Sequence, residues 1–192
     1  MGTPIRLIAG LGNPGSQYDK TRHNAGFWFV DELARRYSGK FAAEKRFSAD
    51  VCKLQVGSQT VWLIKPQTFM NRSGIAVQQL AHFYQIPVEQ ILVAHDELDI
   101  APGDVRLKQA GGHGGHNGLR DLHAHLSANY WRLRLGIGHP GDRNKVVDYV
   151  LSRPSQDDEI VIMRAIDQAA DQIGLILQGE MAKAMQALHT RS

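Results

Sequence analysis

The chain has 192 residues, 43% of them apolar, one cysteine and a formal net charge of +3. That length suits one domain with a real core, and no run of about eighteen apolar residues is present to cross a membrane. The single cysteine, Cys52, excludes an internal disulfide and a cysteine-based metal cage. Met1-Gly-Thr-Pro-Ile-Arg6 has neither a signal-peptide apolar core nor the Ser or Thr of a myristoylation signal, so a cytoplasmic protein is expected.

Residues 5–11 predict a short buried strand, ended by the turn residues Gly12-Asn13-Pro14-Gly15. Residues 24–37 predict a helix with Asn24 as N-cap and Phe27, Val30, Leu33 and Ala34 on one face. Segments 47–56 and 60–65 flank Gly57-Ser58-Gln59 and suggest a hairpin. A helix is expected over 73–84, stopping before Pro87, then a buried strand over 91–95 and a half-wet strand over 104–109.

A glycine-rich run, 111–118, feeds a helix over 119–126. Residues 131–137 alternate, with Arg132 and Arg134 on one face and Leu133, Leu135 and Ile137 on the other. Pro154-Ser155 with acids behind it resembles a helix start, with Ile160, Met163, Ile166, Ala170 and Ile173 in register. Gly174 or Gly179 is expected to interrupt that helix before 181–188. Strands interleaved with helices predict a single α/β domain over 1–192, its twisted sheet mixed but mostly parallel and flanked by helices. Residues 1–150 carry 18 Lys/Arg against 13 Asp/Glu, and 151–192 carry 4 against 6. This uneven charge allows a polyanionic partner on one face, or merely a solvated surface.

Chemistry in such sheets collects beyond the carboxyl ends of the strands, where the unusual segments lie. Gly10-Leu-Gly12-Asn-Pro-Gly15 matches a dinucleotide fingerprint, but a helix should open at its third glycine and here starts about ten residues later. His23 and Asp96, alone, read as capping or turn residues. Together they fit a general base and the carboxylate that fixes its tautomer. His113 and His116 invite a zinc reading that needs a third ligand, which His95 or Asp96 could in principle supply, but glycines that let Asn117 and backbone amides approach a substrate explain the run more directly. Asn13, Asn71 and Asn117 occupy three strand-end loops, each offering a donor and an acceptor to a peptide or carbonyl group.

Taken jointly and in order, Gly-Leu-Gly-Asn-Pro-Gly, Thr-Arg-His-Asn-Ala-Gly, Thr-Phe-Met-Asn, Ala-His-Asp-Glu-Leu-Asp, Gly-Gly-His-Gly-Gly-His-Asn-Gly-Leu and Arg-Leu-Gly-Ile-Gly-His-Pro-Gly closely resemble bacterial peptidyl-tRNA hydrolase. The resemblance spans nearly the whole chain, departing slightly at Gln109-Ala110. It implies a metal-free, cofactor-free esterase that cuts peptide from tRNA. His23 would be the base, Asp96 its orienter, and Asn13 a group that separates N-blocked from free aminoacyl esters. It also implies that Asn71 and Asn117 bind the peptide and attacking water, and that Tyr18, Phe69 and Met70 line the site. Lys108 and Arg134 would meet tRNA phosphate. The partner implied is the acceptor stem and 3′ end of peptidyl-tRNA, bound by a monomer. Two alternatives stay open: a dinucleotide-binding oxidoreductase and a catalytically silent tRNA- or ribosome-binding module.

Overall fold

Unbroken apolar runs mark strands covered on both faces, and the runs at 7–9 and 91–94 lie at the centre of one seven-stranded sheet. The computed structural model describes residues 2–189. Its strands are β1 (Leu7–Gly10), β2 (Ala42–Glu44), β3 (Ala49–Val56), β4 (Gln59–Pro66), β5 (Ile91–Glu97), β6 (Val105–Gln109) and β7 (Trp131–Gly136). They lie in the order β2-β3-β4-β1-β5-β7-β6. The central pairings β4–β1, β1–β5 and β5–β7 are parallel, and the flanking ones are antiparallel. This is the mixed α/β sheet with a parallel centre that the sequence predicts.

Seven helices cover it: α1 (Ala25–Arg36), α2 (Ser73–Phe83), α3 (Asn117–Leu126), α4 (Val146–Val150), α5 (Gln156–Asp171), α6 (Ile173–Leu177) and α7 (Met181–His189), counted among the described residues. The period of two in β1 divides the core. Ile8 joins Phe29, Val30 and Leu33 of α1 and Ile166 of α5 on one side. Leu7 and Ala9 join Val77 and Leu80 of α2 and Leu122 of α3 on the other. Truncating a side chain as buried as Leu80 to alanine costs about 2–5 kcal/mol.

The hairpin closes through Gly57-Ser58, with Val56 opposite Gln59 and Gly57 at φ 61°, as a tight turn requires. Ser155 caps α5 by accepting from the Asp158 N–H. The register expected for α5 is partly overturned: Ile166, Ala170 and Ile173 are buried, but Ile160 and Met163 are exposed and Ile162 and Ala165 take the inner face. Gly174 sits inside α6, while Gly179, at φ 78°, follows its end.

One close approach positions the site. A Cβ on Gly10 would sit 2.3 Å from the Gly26 carbonyl oxygen, and one on Gly26 would sit 2.3 Å from the Ala94 oxygen. Glycine at both places lets the first turn of α1 rest directly on β1 and β5, bringing residues 22–24 over the end of β5. The same contact removes the dinucleotide reading. The helix starts at Ala25, and its first turn is packed against backbone where a pyrophosphate would need to lie.

Candidate active site

β4, β1, β5 and β7 run in one direction, so their carboxyl ends gather on one side of the sheet. The loop after β1 supplies Asn13 and His23, the loop after β4 supplies Phe69, Met70 and Asn71, β5 supplies Asp96, and the start of α3 supplies Asn117. All seven line one cleft of about 700 Å³. Three predicted site residues are not part of its lining. Tyr18 stands behind Phe69, edge to face at 6.3 Å between ring centres. Lys108 is exposed on β6. Arg134, on β7, donates from Nε to Glu97 Oε1 at 2.9 Å.

Asp96 is 3% exposed and holds two histidines. Its Oδ2 lies 2.8 Å from His23 Nδ1, and its Oδ1 lies 2.8 Å from His116 Nε2. Both tautomers follow from the partners. His116 Nδ1 accepts from the backbone N–H groups of Gly118 and Leu119, so its proton is on Nε2 and points at Asp96. A carboxylate accepts from His23 Nδ1–H, which leaves the His23 Nε2 lone pair free for the cleft. Burial disfavours charge on His23, but the charge and hydrogen bond of Asp96 outweigh it and raise its pKa above the ordinary 6.5. Burial also works against charge on Asp96, yet His23 and His116 hold its pKa well below the usual carboxylate range.

Asn13 is held on three sides. Asn24 Oδ1 accepts from its N–H at 2.9 Å, and Asn24 Nδ2 donates to its carbonyl at 3.0 Å. Its own Oδ1 accepts from the Met70 N–H at 2.7 Å. That bond fixes the orientation of the amide and uses one lone pair of its oxygen, so the group Asn13 keeps wholly free for the cleft is its Nδ2 donor. Asn24 makes no side-chain cap to α1; the expected N-cap instead clamps Asn13. Asn71 and Asn117 stand exposed at the rim, with Asn117 Oδ1 3.3 Å from Arg120 Nη1.

Arg132 and Arg134, which alternation puts on one face of the strand, do not form an exposed basic strip. Arg132 is 3% exposed and turns into the glycine-rich loop. From sequence, His116 and Asp99 are only the next candidates to orient His23 should Asp96 not do so, and the acceptor side chain of His116 just before a helix is also an N-cap signal. A cap contact and a carboxylate contact at once cannot be read from spacing. Among the described residues, His23, Asp96 and His116 also form a group whose ligand atoms could approach a metal ion. Asp96 and His23 thus stand beside His116, yet both Asp96 oxygens and the two ring nitrogens facing them already serve in hydrogen bonds.

Fold and site together define a class: an α/β protein with a buried histidine–aspartate–histidine cluster at the floor of a polar cleft. The family model described as Peptidyl-tRNA hydrolase matches residues 7–192. The chain is 57% identical over 186 residues to the peptidyl-tRNA hydrolase of Halorhodospira halophila, covering 96% of both chains. It is 52% identical to that of Neisseria meningitidis over the full length of both. The crystal structure of peptidyl-tRNA hydrolase from Acinetobacter baumannii superposes with a TM-score of 0.97 at 45% identity, covering 100% of this chain and 98% of that one. The chain belongs to the peptidyl-tRNA hydrolase family.

Proposed function

We propose that this chain hydrolyses the ester between a peptide and the ribose of tRNA, with His23 as general base, a reading carried by the free His23 Nε2 above Asp96. Water gives its proton to Nε2 as its oxygen adds to the ester carbonyl carbon. The tetrahedral intermediate then expels the ribose oxygen, which takes the proton back from the imidazolium. An alkoxide leaves far more readily than an amine, so a base and modest polarisation of the carbonyl suffice for an ester and leave peptide bonds intact. Asp96 stays ionised and steadies the imidazolium.

Asn13 separates N-blocked from free esters through its amide nitrogen. An N-blocked residue presents a carbonyl that accepts from Nδ2. A free aminoacyl ester presents an ammonium, which only donates and meets a donor. Asn71 and Asn117 bind the peptide and the attacking water from the rim. Phe69 and Met70, with Tyr18 behind them, form an apolar wall for the 3′ end and the first peptide residues. The reading includes a monomer in the cytoplasm working on the acceptor stem and 3′ end, and the reaction as written asks for no residue of a second copy. No helix among the described residues is long and apolar enough to cross a membrane.

The test is ester loss from an N-acetylated aminoacyl-tRNA. His23→Ala should lower turnover about 10²–10⁴-fold while still binding tRNA. More than about a tenth of wild-type turnover remaining in the variant would overturn the assignment of the base. Binding without turnover by the wild type would support the silent module instead.

A further inference from the structure

Arg132 spends a buried charge on a loop. It lies on β7, 3% exposed, and its acceptors are all neutral. Nη1 donates to the Gly112 carbonyl at 2.5 Å and Nη2 to the Gly111 carbonyl at 2.5 Å. Nη2 also reaches His123 Nε2 at 3.1 Å and the Ala128 carbonyl at 3.5 Å. The guanidinium stacks over the Tyr130 ring, 4.7 Å from its centre. A guanidinium buried without a carboxylate is expensive to keep, so its position calls for a reason beyond stability.

The loop gives that reason. Ala110, Gly111, Gly114 and Gly115 all have positive φ, and the Cα positions of Gly112, Gly114 and Gly115 face open space. Little packing holds the middle of this segment, yet His113, Gly114, Gly115, His116 and Asn117 line the cleft. At its far end the loop is fixed by His116 on Asp96. At its near end it is fixed by the Ala110 N–H on the Tyr130 carbonyl and by Arg132.

We infer that Arg132 is a positioning residue: by gripping the Gly111 and Gly112 carbonyls it holds the glycine-rich loop as a lid over the cleft, so that the loop bears on substrate binding from a site that touches no substrate. This rests on the assignment of the cleft as the peptidyl-tRNA site. It gives a function to a side chain that the sequence places among surface cations. A planar fork matched to two neighbouring carbonyls is a task for arginine that lysine performs only in part.

The test compares Arg132→Met, which keeps much of the volume and loses every donor, with Arg132→Lys. Amide hydrogen exchange of the ligand-free proteins is followed at 111–116 and at 131–135, together with hydrolysis of an N-acetylated aminoacyl-tRNA. We expect loop amides of Arg132→Met to exchange faster while the β7 amides stay protected. If the closed loop falls to about a tenth of the population, KM rises about tenfold with kcat within about twofold. The acid limb of the pH profile should stay in place, because His23 and Asp96 are untouched, and Arg132→Lys should recover part of the loss in both readouts. Unchanged loop exchange, or faster exchange spread evenly over β7 and loop with unaltered kinetics per folded molecule, would overturn the inference. An inactive wild type would instead overturn the proposed function, and the loop exchange would still judge Arg132.

Discussion

His116 donates to the one carboxylate oxygen of Asp96 that His23 leaves free, at 2.8 Å, and this decides what an amide at position 96 would do. From sequence, Asp96→Asn should be milder than loss of His23, since the base survives. The geometry makes it more severe. His116 cannot switch tautomer, because two backbone N–H groups occupy its Nδ1. The oxygen of the substituted amide must therefore face His116, and its NH₂ must face His23. His23 Nδ1 then has to accept, its proton moves to Nε2, and the base is lost. Asp96→Asn is expected to lose about 10²–10⁴-fold, near His23→Ala. Adding His116→Ala frees the amide to turn its oxygen back to His23 and should restore part of the rate. A double variant no faster than Asp96→Asn contradicts this account.

Stability at acid pH should carry the signature of His95. It is 1% exposed, its Nδ1–H donates to the Asp96 carbonyl, and its Nε2 has no partner. Burial, with the neighbouring His116 and Arg132 adding to it, lowers its pKa from 6.5 to about 3. Between those values the unfolded chain binds a proton that the native one refuses. Stability is thus fully present above pH 6.5 and falls as pH drops toward 3, by about 1.4 kcal/mol per pH unit for this one proton. Denaturant melts at pH 6.5 and 4.5 should show a shallower loss in His95→Asn than in the wild type. Equal losses would remove His95 as the cause.

The strands and most helix limits were legible because period two, period 3.6 and turn residues act locally. The residues proposed for catalysis were picked out mainly through the joint order of their motifs; His23 and Asp96 are 73 residues apart, and nothing in their spacing says they touch. What stayed hidden are roles set by partners distant in sequence. Asn24 looks like a cap and clamps Asn13; Arg132 alternates like a surface cation and is buried beneath the loop. In α5 the exposed Ile160 and Met163 misled the register, since apolar residues also occur outside.

Chelation should leave turnover unchanged. Asp96 is already satisfied by two imidazoles, and general-base chemistry at His23 Nε2 needs Nδ1 protonated, which a metal on that nitrogen forbids. Zinc added in excess should inhibit by entering the His23–Asp96–His116 group. Activity lost to EDTA and recovered with zinc would reverse the assignment.

Docking and chemistry should separate at the cations of β6 and β7. Lys108 pairs opposite Arg132 in the β6–β7 register and Arg106 opposite Arg134, so four cationic side chains share one face. Arg132 is committed to the loop and Arg134 to Glu97, which leaves Lys108 the more available to phosphate. Lys108→Ala should raise KM with kcat nearly intact, the pattern of lost uniform binding. It should also flatten the slope of log affinity against log salt by up to about one unit. Arg134→Ala should do the same more weakly, because Glu97 already offsets its charge, and Glu97→Gln should strengthen tRNA binding by releasing it. A blocked amino acid esterified to a single nucleotide lacks the distant phosphates and should respond little to any of the three. Equal losses of kcat on the full and truncated substrates would move Lys108 into the chemical site. No change on either would make it an ordinary solvated lysine, the usual fate of that side chain.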